Sequence, residues 1–149
     1  MTPRMKFAFW TYLLLTIVGA AWGVGFLLRS EFTPYHGAAA GVPWPEVPRN
    51  FQVVILALTK LAGGLWVAFA LCIFVLLWFP FRQGARWALW AVPLLMLAQL
   101  VAPMPAMIHL TTHTTATPPW ALTLGCIVVT LVALAVSVSG HGGKGTGPD

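Results

Sequence analysis

Four long runs of apolar residues, at about 7–28, 51–79, 87–108 and 120–139, fill most of the sequence and are separated by short polar segments. Each can cross a bilayer, because about 20 residues at a rise of roughly 1.5 Å cover a hydrocarbon core about 30 Å thick. Backbone inside lipid has no water to bond, so each run is predicted to be a helix that satisfies its own N–H and C=O groups. At this length the runs exclude the strands of an outer-membrane barrel. The pattern predicts an all-α integral membrane protein, an up-down four-helix bundle in a single domain spanning 1–139. The Gly-rich tail at 140–149 lacks apolar residues and is expected to be disordered.

The connections carry the detail. Ser30 to Asn50 read SEFTPYHGAAAGVPWPEVPRN. Pro34, Pro43, Pro45 and Pro48 stiffen this segment, Gly37 and Gly41 let it turn, and Phe32, Tyr35 and Trp44 give it apolar anchors. It is expected to form an ordered cap on one end of the bundle. The second run is longer than the bilayer requires, and counting about 20 residues back from Pro80 puts Lys60 at the outer interface. The stretch Phe51 to Thr59 is then expected to project beneath the cap. Pro93 should kink the third run, and Pro103 and Pro105 should bend or break it near its outer end. Gly19 with Gly23, Ala121 with Gly125, and the Gly63–Gly64 pair suit close helix packing, with a ligand pocket between helices as the alternative.

Composition agrees with a lipid solvent: 59% of residues are hydrophobic and 7% charged, where a soluble surface needs roughly a quarter charged. The net charge of +5 invites a nucleic-acid reading, but the basic residues are scattered along loop ends and do not share one face. Their distribution speaks of topology. Arg4, Lys6, Arg82, Arg86 and Lys144 fall on one side, whereas Arg29 and Arg49 on the other are offset by Glu31 and Glu46. The positive-inside rule therefore places both termini in the cytoplasm and the cap outside. Aromatic residues group at both interfaces, Trp10, Trp78 and Trp87 on the inner side and Phe32, Trp44 and Trp120 on the outer. A signal peptide would explain Arg4 and Lys6 before the first run, but the apolar stretch continues through Trp22 to Leu28, longer than a typical signal, so it is read as a retained span.

The polar chemistry is confined to the outer side, and no acidic residue lies inside a span, which argues against a proton pump or ion-coupled carrier. Three candidate constellations remain. His109 and His113 stand four apart, and with His36 and Glu31 or Glu46 they could hold a transition metal, although the TTHTTATPP context disfavours helix there. Glu31 or Glu46 with His36 could act in general acid–base chemistry on a lipid-like substrate, the alternative being ion pairing with Arg29, Arg49 and Lys60. Haem would need ligands such as His36 and His109, since no histidine lies within a span core. Cys72 and Cys126 differ in depth by roughly six residues, about 9 Å, too far for a disulfide. No cofactor is predicted.

The pieces EFTPYH at 31–36, VPW at 42–44, PFRQGARWA at 80–88 and TPPW at 117–120 resemble those of small four-span bacterial inner-membrane proteins, and the architecture is similar to that of DoxX-like membrane proteins. The resemblance implies a multi-pass protein of the bacterial inner membrane, and it supplies no catalytic residues. The function expected is that of a non-enzymatic accessory or interaction subunit, with membrane lipids, other membrane subunits or a second copy as partners. Phe32, Tyr35, Trp44, Glu46 and Arg49 are expected to form its interaction cap. The alternative is a membrane enzyme or metal-binding protein using His36, His109, His113 and Glu31 or Glu46.

Overall fold

A computed structural model describes residues 1–139, so the expected tail disorder falls outside the described residues. The helices are α1 (Pro3–Leu27), α2 (Pro34–Ala40), α3 (Arg49–Leu76), α4 (Ala88–Val101), α5 (Met104–His113) and α6 (Trp120–Ser139). A short 3-10 turn covers Trp44–Glu46 and a π-helical turn extends α3 through Leu77–Phe81. Four stretches are long and apolar enough to cross a membrane: Pro3–Leu27, Arg49–Phe81, Ala88–His113 and Trp120–Ser139. They form an all-α bundle in which α1 packs against α3 and α6, and α4 packs against the same two. The helices thus follow one another around a ring, as short antiparallel links require.

Local chemistry sets the boundaries. Thr2 caps α1, its hydroxyl accepting from the Met5 N–H at 3.3 Å, and Pro3 fills the first helical position, where a missing N–H costs nothing. At the other end of α1 the Leu27 carbonyl accepts from the Lys60 ammonium at 2.8 Å. A cation on a helix C-terminus offsets its partial negative charge. The expected outward-snorkelling lysine therefore ties α3 to the end of α1. Arg4 does the same at the opposite end, donating to the Ser139 carbonyl of α6 at 3.1 Å. Pro80, which has no N–H, sits in the π turn, where the Arg82 N–H reaches five residues back to Leu77 at 3.3 Å.

The closest helix contact is a pair of glycines. A Cβ added at Gly63 would stand 2.7 Å from the Gly23 carbonyl, and one at Gly23 would stand 2.8 Å from that of Gly63. Bare backbone lets α1 and α3 approach this far. Below them, the Trp66 ring lies over Gly19. The expected packing role of Ala121 and Gly125 is corrected: both are exposed, with open space around Gly125. Instead α6 turns Thr130, Ala133 and Ser137 inward while Leu131 and Val132 remain 47% and 50% exposed. Hydroxyls inside and leucines outside is the pattern of a helix solvated by lipid.

The core occupies only one half of the bundle, the end that carries the π turn. Tyr12, Ile73, Leu77, Phe81 and Val92 are completely buried there, with Tyr12 set edge-on to Phe81 at 5.8 Å between ring centres. Lipid tails are as apolar as leucine, so this end is held by packing density more than by removal of apolar surface from water. The Tyr12 hydroxyl has no hydrogen-bond partner among the described residues, and its neighbour Ser137 donates to the Leu134 carbonyl at 2.8 Å. α4 continues through Pro93, and the break falls at Pro103, between α4 and α5.

Candidate functional site

The cap is built on aromatic packing and a few polar ties. Phe32 meets Trp44 edge-on at 5.0 Å, and the same Phe32 ring lies against Gly37, where an added Cβ would come within 2.6 Å. That contact explains a glycine in the middle of α2. Gly41 then ends α2 with φ +68°, the left-handed conformation that glycine adopts without strain. From α3, the Gln52 amide donates to the Trp44 and Val47 carbonyls at 2.9 and 3.0 Å, fastening the 3-10 turn to the projecting helix. The expected ordered cap is therefore present, laid on the first turns of α3.

The polar residues of this end do not gather. Glu31, Glu46, Arg29, Arg49 and Lys60 are exposed, and among the described residues no basic group lies within 4 Å of a carboxylate. His109 and His113 share a face with ring centres 4.3 Å apart, the His113 Nδ1 lying 2.9 Å from the His109 carbonyl. No third His, Cys, Asp or Glu joins them to make a metal-binding group among the described residues. They share that face because α5 stays helical to His113, against expectation. Thr111, Thr112 and Thr114 donate to the carbonyls of Met107, Ile108 and Leu110 at 2.6–2.9 Å, so their hydroxyls are satisfied within the helix that their β-branches disfavour. His36 lies in the cap, half-buried, its Nδ1 2.8 Å from the Thr33 hydroxyl and its ring 4.1 Å from that of Tyr35. Burial, helped by the Arg29 charge, lowers the His36 pKa. Burial also pushes the Tyr35 phenol up, against the weaker opposing pull of the Thr33 hydroxyl and Arg29.

What the structure does bring together is a cavity of about 120 Å³ at the cap end, between α1, α4, α5 and α6. Leu15 and Trp22 of α1, Trp66 of α3, Met96 of α4, Met107 of α5 and Leu122 of α6 make its walls, and Tyr35 of the cap reaches its edge. Three polar side chains, Gln99, Thr123 and Cys126, line it. The Gln99 amide donates to the Trp66 carbonyl at 3.2 Å, and no described residue donates to its own carbonyl oxygen. Thr123 is satisfied within its helix, donating to Pro119 at 3.2 Å. No carboxylate, histidine or lysine lines the cavity. Its chemistry is that of a mostly apolar binding site with one amide in the wall. An open groove of about 440 Å³ adjoins it, sharing Val18, Trp22, Phe26 and Tyr35.

Sequence reasoning offered a pocket between helices only as the alternative to close packing at Gly19 and Gly23, and it singled out neither Gln99 nor Thr123. Gln99 is the only amide inside the third run, a polar group that lipid tolerates only when it is buried against protein. Thr123, Thr130 and Ser137 recur every seven residues and mark the inward face of α6. Both signals were readable. Cys126 lies on that same face and Cys72 is exposed, and both are free. No family profile, curated protein or solved structure matches this chain.

Proposed function

We propose that the chain is a non-catalytic membrane protein that binds a hydrophobic molecule between its helices. The observation that carries this reading is the asymmetry of the bundle, packed shut at the π-turn end and split by an apolar cavity at the cap end. The absence of a carboxylate, histidine or lysine from the lining favours holding a ligand over transforming it. Arg4, Lys6, Arg82 and Arg86 support a cytoplasmic packed end and an external cap end, and the membrane we propose is a bacterial inner membrane. Gentle extraction followed by lipid analysis tests the proposal. One hydrophobic molecule should stay with each chain and be lost in Thr123→Phe, which fills the cavity from α6. Equal retention by both proteins would refute it.

A second reading, the accessory subunit, is favoured by α3. With Lys60 level with the end of α1, the turns from Arg49 to Thr59 stand beyond the lipid, yet Phe51, Val54 and Leu58 are 63%, 53% and 60% exposed. Apolar surface outside lipid suits a protein partner or a second copy. A constant companion in the same extraction supports this reading, and a solitary chain opposes it.

A further inference from the structure

The groove supplies what the cavity lacks, a charge. It runs along α1 past Val18, Trp22, Gly25 and Phe26, and it ends at Arg29, just beyond the helix. Arg29 has no carboxylate within 4 Å among the described residues, and Glu31, two positions on, does not line the groove. A planar guanidinium without an anion, beside the Thr33 and Tyr35 side chains, is matched in shape and charge to a phosphate. From Leu27, where the helix ends, to Leu15, the innermost α1 residue of the cavity, α1 rises about 18 Å. Leu27, capped by Lys60, stands near the outer boundary of the lipid, so Arg29 lies at the depth of lipid headgroups.

We propose that groove and cavity together hold one anionic phospholipid, its phosphate at Arg29 and one acyl chain turned inward past Trp22 toward Gln99. The proposal rests on the hydrophobic-ligand reading above and names the ligand class for that same site. Charge complementarity selects the occupant. An uncharged chain could fill the cavity, but it would leave the one cation of the groove without an anion. Tyr35, shared by both spaces, stands where the chain passes from groove to cavity.

Gly25 provides a clean probe. A Cβ there would meet nothing within 4 Å, so Gly25→Phe keeps the helix and obstructs the groove. The full-length protein in detergent is titrated by native mass spectrometry with phosphatidylglycerol, with phosphatidylcholine of the same chains, and with inorganic phosphate. Phosphatidylglycerol should bind one per chain at least about tenfold tighter than phosphatidylcholine, whose trimethylammonium group offsets the charge of the same phosphate and repels the Arg29 guanidinium. Arg29→Gln should erase that preference, Arg29→Lys should restore part of it, and Gly25→Phe should weaken both lipids. Millimolar inorganic phosphate should not compete. Phosphate competing as well as the lipid would overturn the proposal in favour of a free anion. If Arg29→Gln changes nothing while Gly25→Phe and Thr123→Phe still weaken binding, the anionic headgroup falls and the hydrophobic-ligand reading stands. If no variant alters lipid binding, both fall.

Discussion

Single residues decide how near the helices come and what the space between them can accept. At Gly63 a methyl group would meet backbone atoms of α1 at 2.7–2.9 Å, and backbone cannot rotate away. Gly63→Ala should therefore lower resistance to unfolding by about 1–3 kcal/mol. Its neighbour is the control. Gly64 faces open space, so Gly64→Ala should hold or gain about 0.5–1 kcal/mol through helix propensity. Denaturant unfolding in mild detergent compares the two. Equal effects would contradict the intimate α1–α3 contact.

Among the elements, the cap is the one whose docking responds to pH. His36 is held partly buried and beside Arg29, so its pKa in the folded cap lies below the ordinary value of about 6.5. The unfolded cap binds the proton more readily, so stability is complete above that ordinary value and declines as pH falls below it. Protection factors of the α2 amides, which compare each exchange rate with the intrinsic rate at that pH, should fall as pH drops from about 7 toward 5, and His36→Leu should remove the dependence. Protection that is flat in pH for the native chain would contradict this. The elements also show what could be read from sequence. Hydropathy over 51–79 and 120–139 marked α3 and α6 closely, because lipid leaves apolar backbone no choice but helix. The aromatic anchors Phe32, Tyr35 and Trp44 were legible for the same reason that interfacial rings are common. The helix through TTH was not, because propensity alone misses threonine hydroxyls satisfied by carbonyls one turn back. Proline position was legible: the bend or break expected at Pro103 and Pro105 falls at Pro103, while Pro93 sits inside an unbroken α4.

For the whole molecule, the decisive property is that one end is solid and the other divided. Periodicity reports which face of a helix turns inward, but whether four inward faces meet or leave a gap depends on side-chain volumes at matching depths. At the π-turn end Phe9, Tyr12 and Phe81 fill the interior. At the cap end Gly19, Thr123 and Cys126 are small, and the bent α4–α5 pair leaves the space unfilled. Orientation is a second property at this scale. In a Cys72→Ala, Cys126→Ala background, Arg49→Cys should react with an impermeant thiol reagent on intact cells and Gln83→Cys should not. The reverse pattern would contradict the assigned topology.

The methionine methyl groups offer the most direct test that a lipid chain enters the molecule. Met96 and Met107 line the cavity, while Met5 is as deeply buried in the packed end, all three below 9% exposure. Carbon-13 methyl spectra of the protein in lipid nanodiscs containing a chain-end spin-labelled phosphatidylglycerol would report each site. The account predicts strong broadening at Met96 and Met107, a sharp Met5, and recovery of Met96 in Gly25→Phe. Met96 and Met107 signals as sharp as that of Met5 would contradict it.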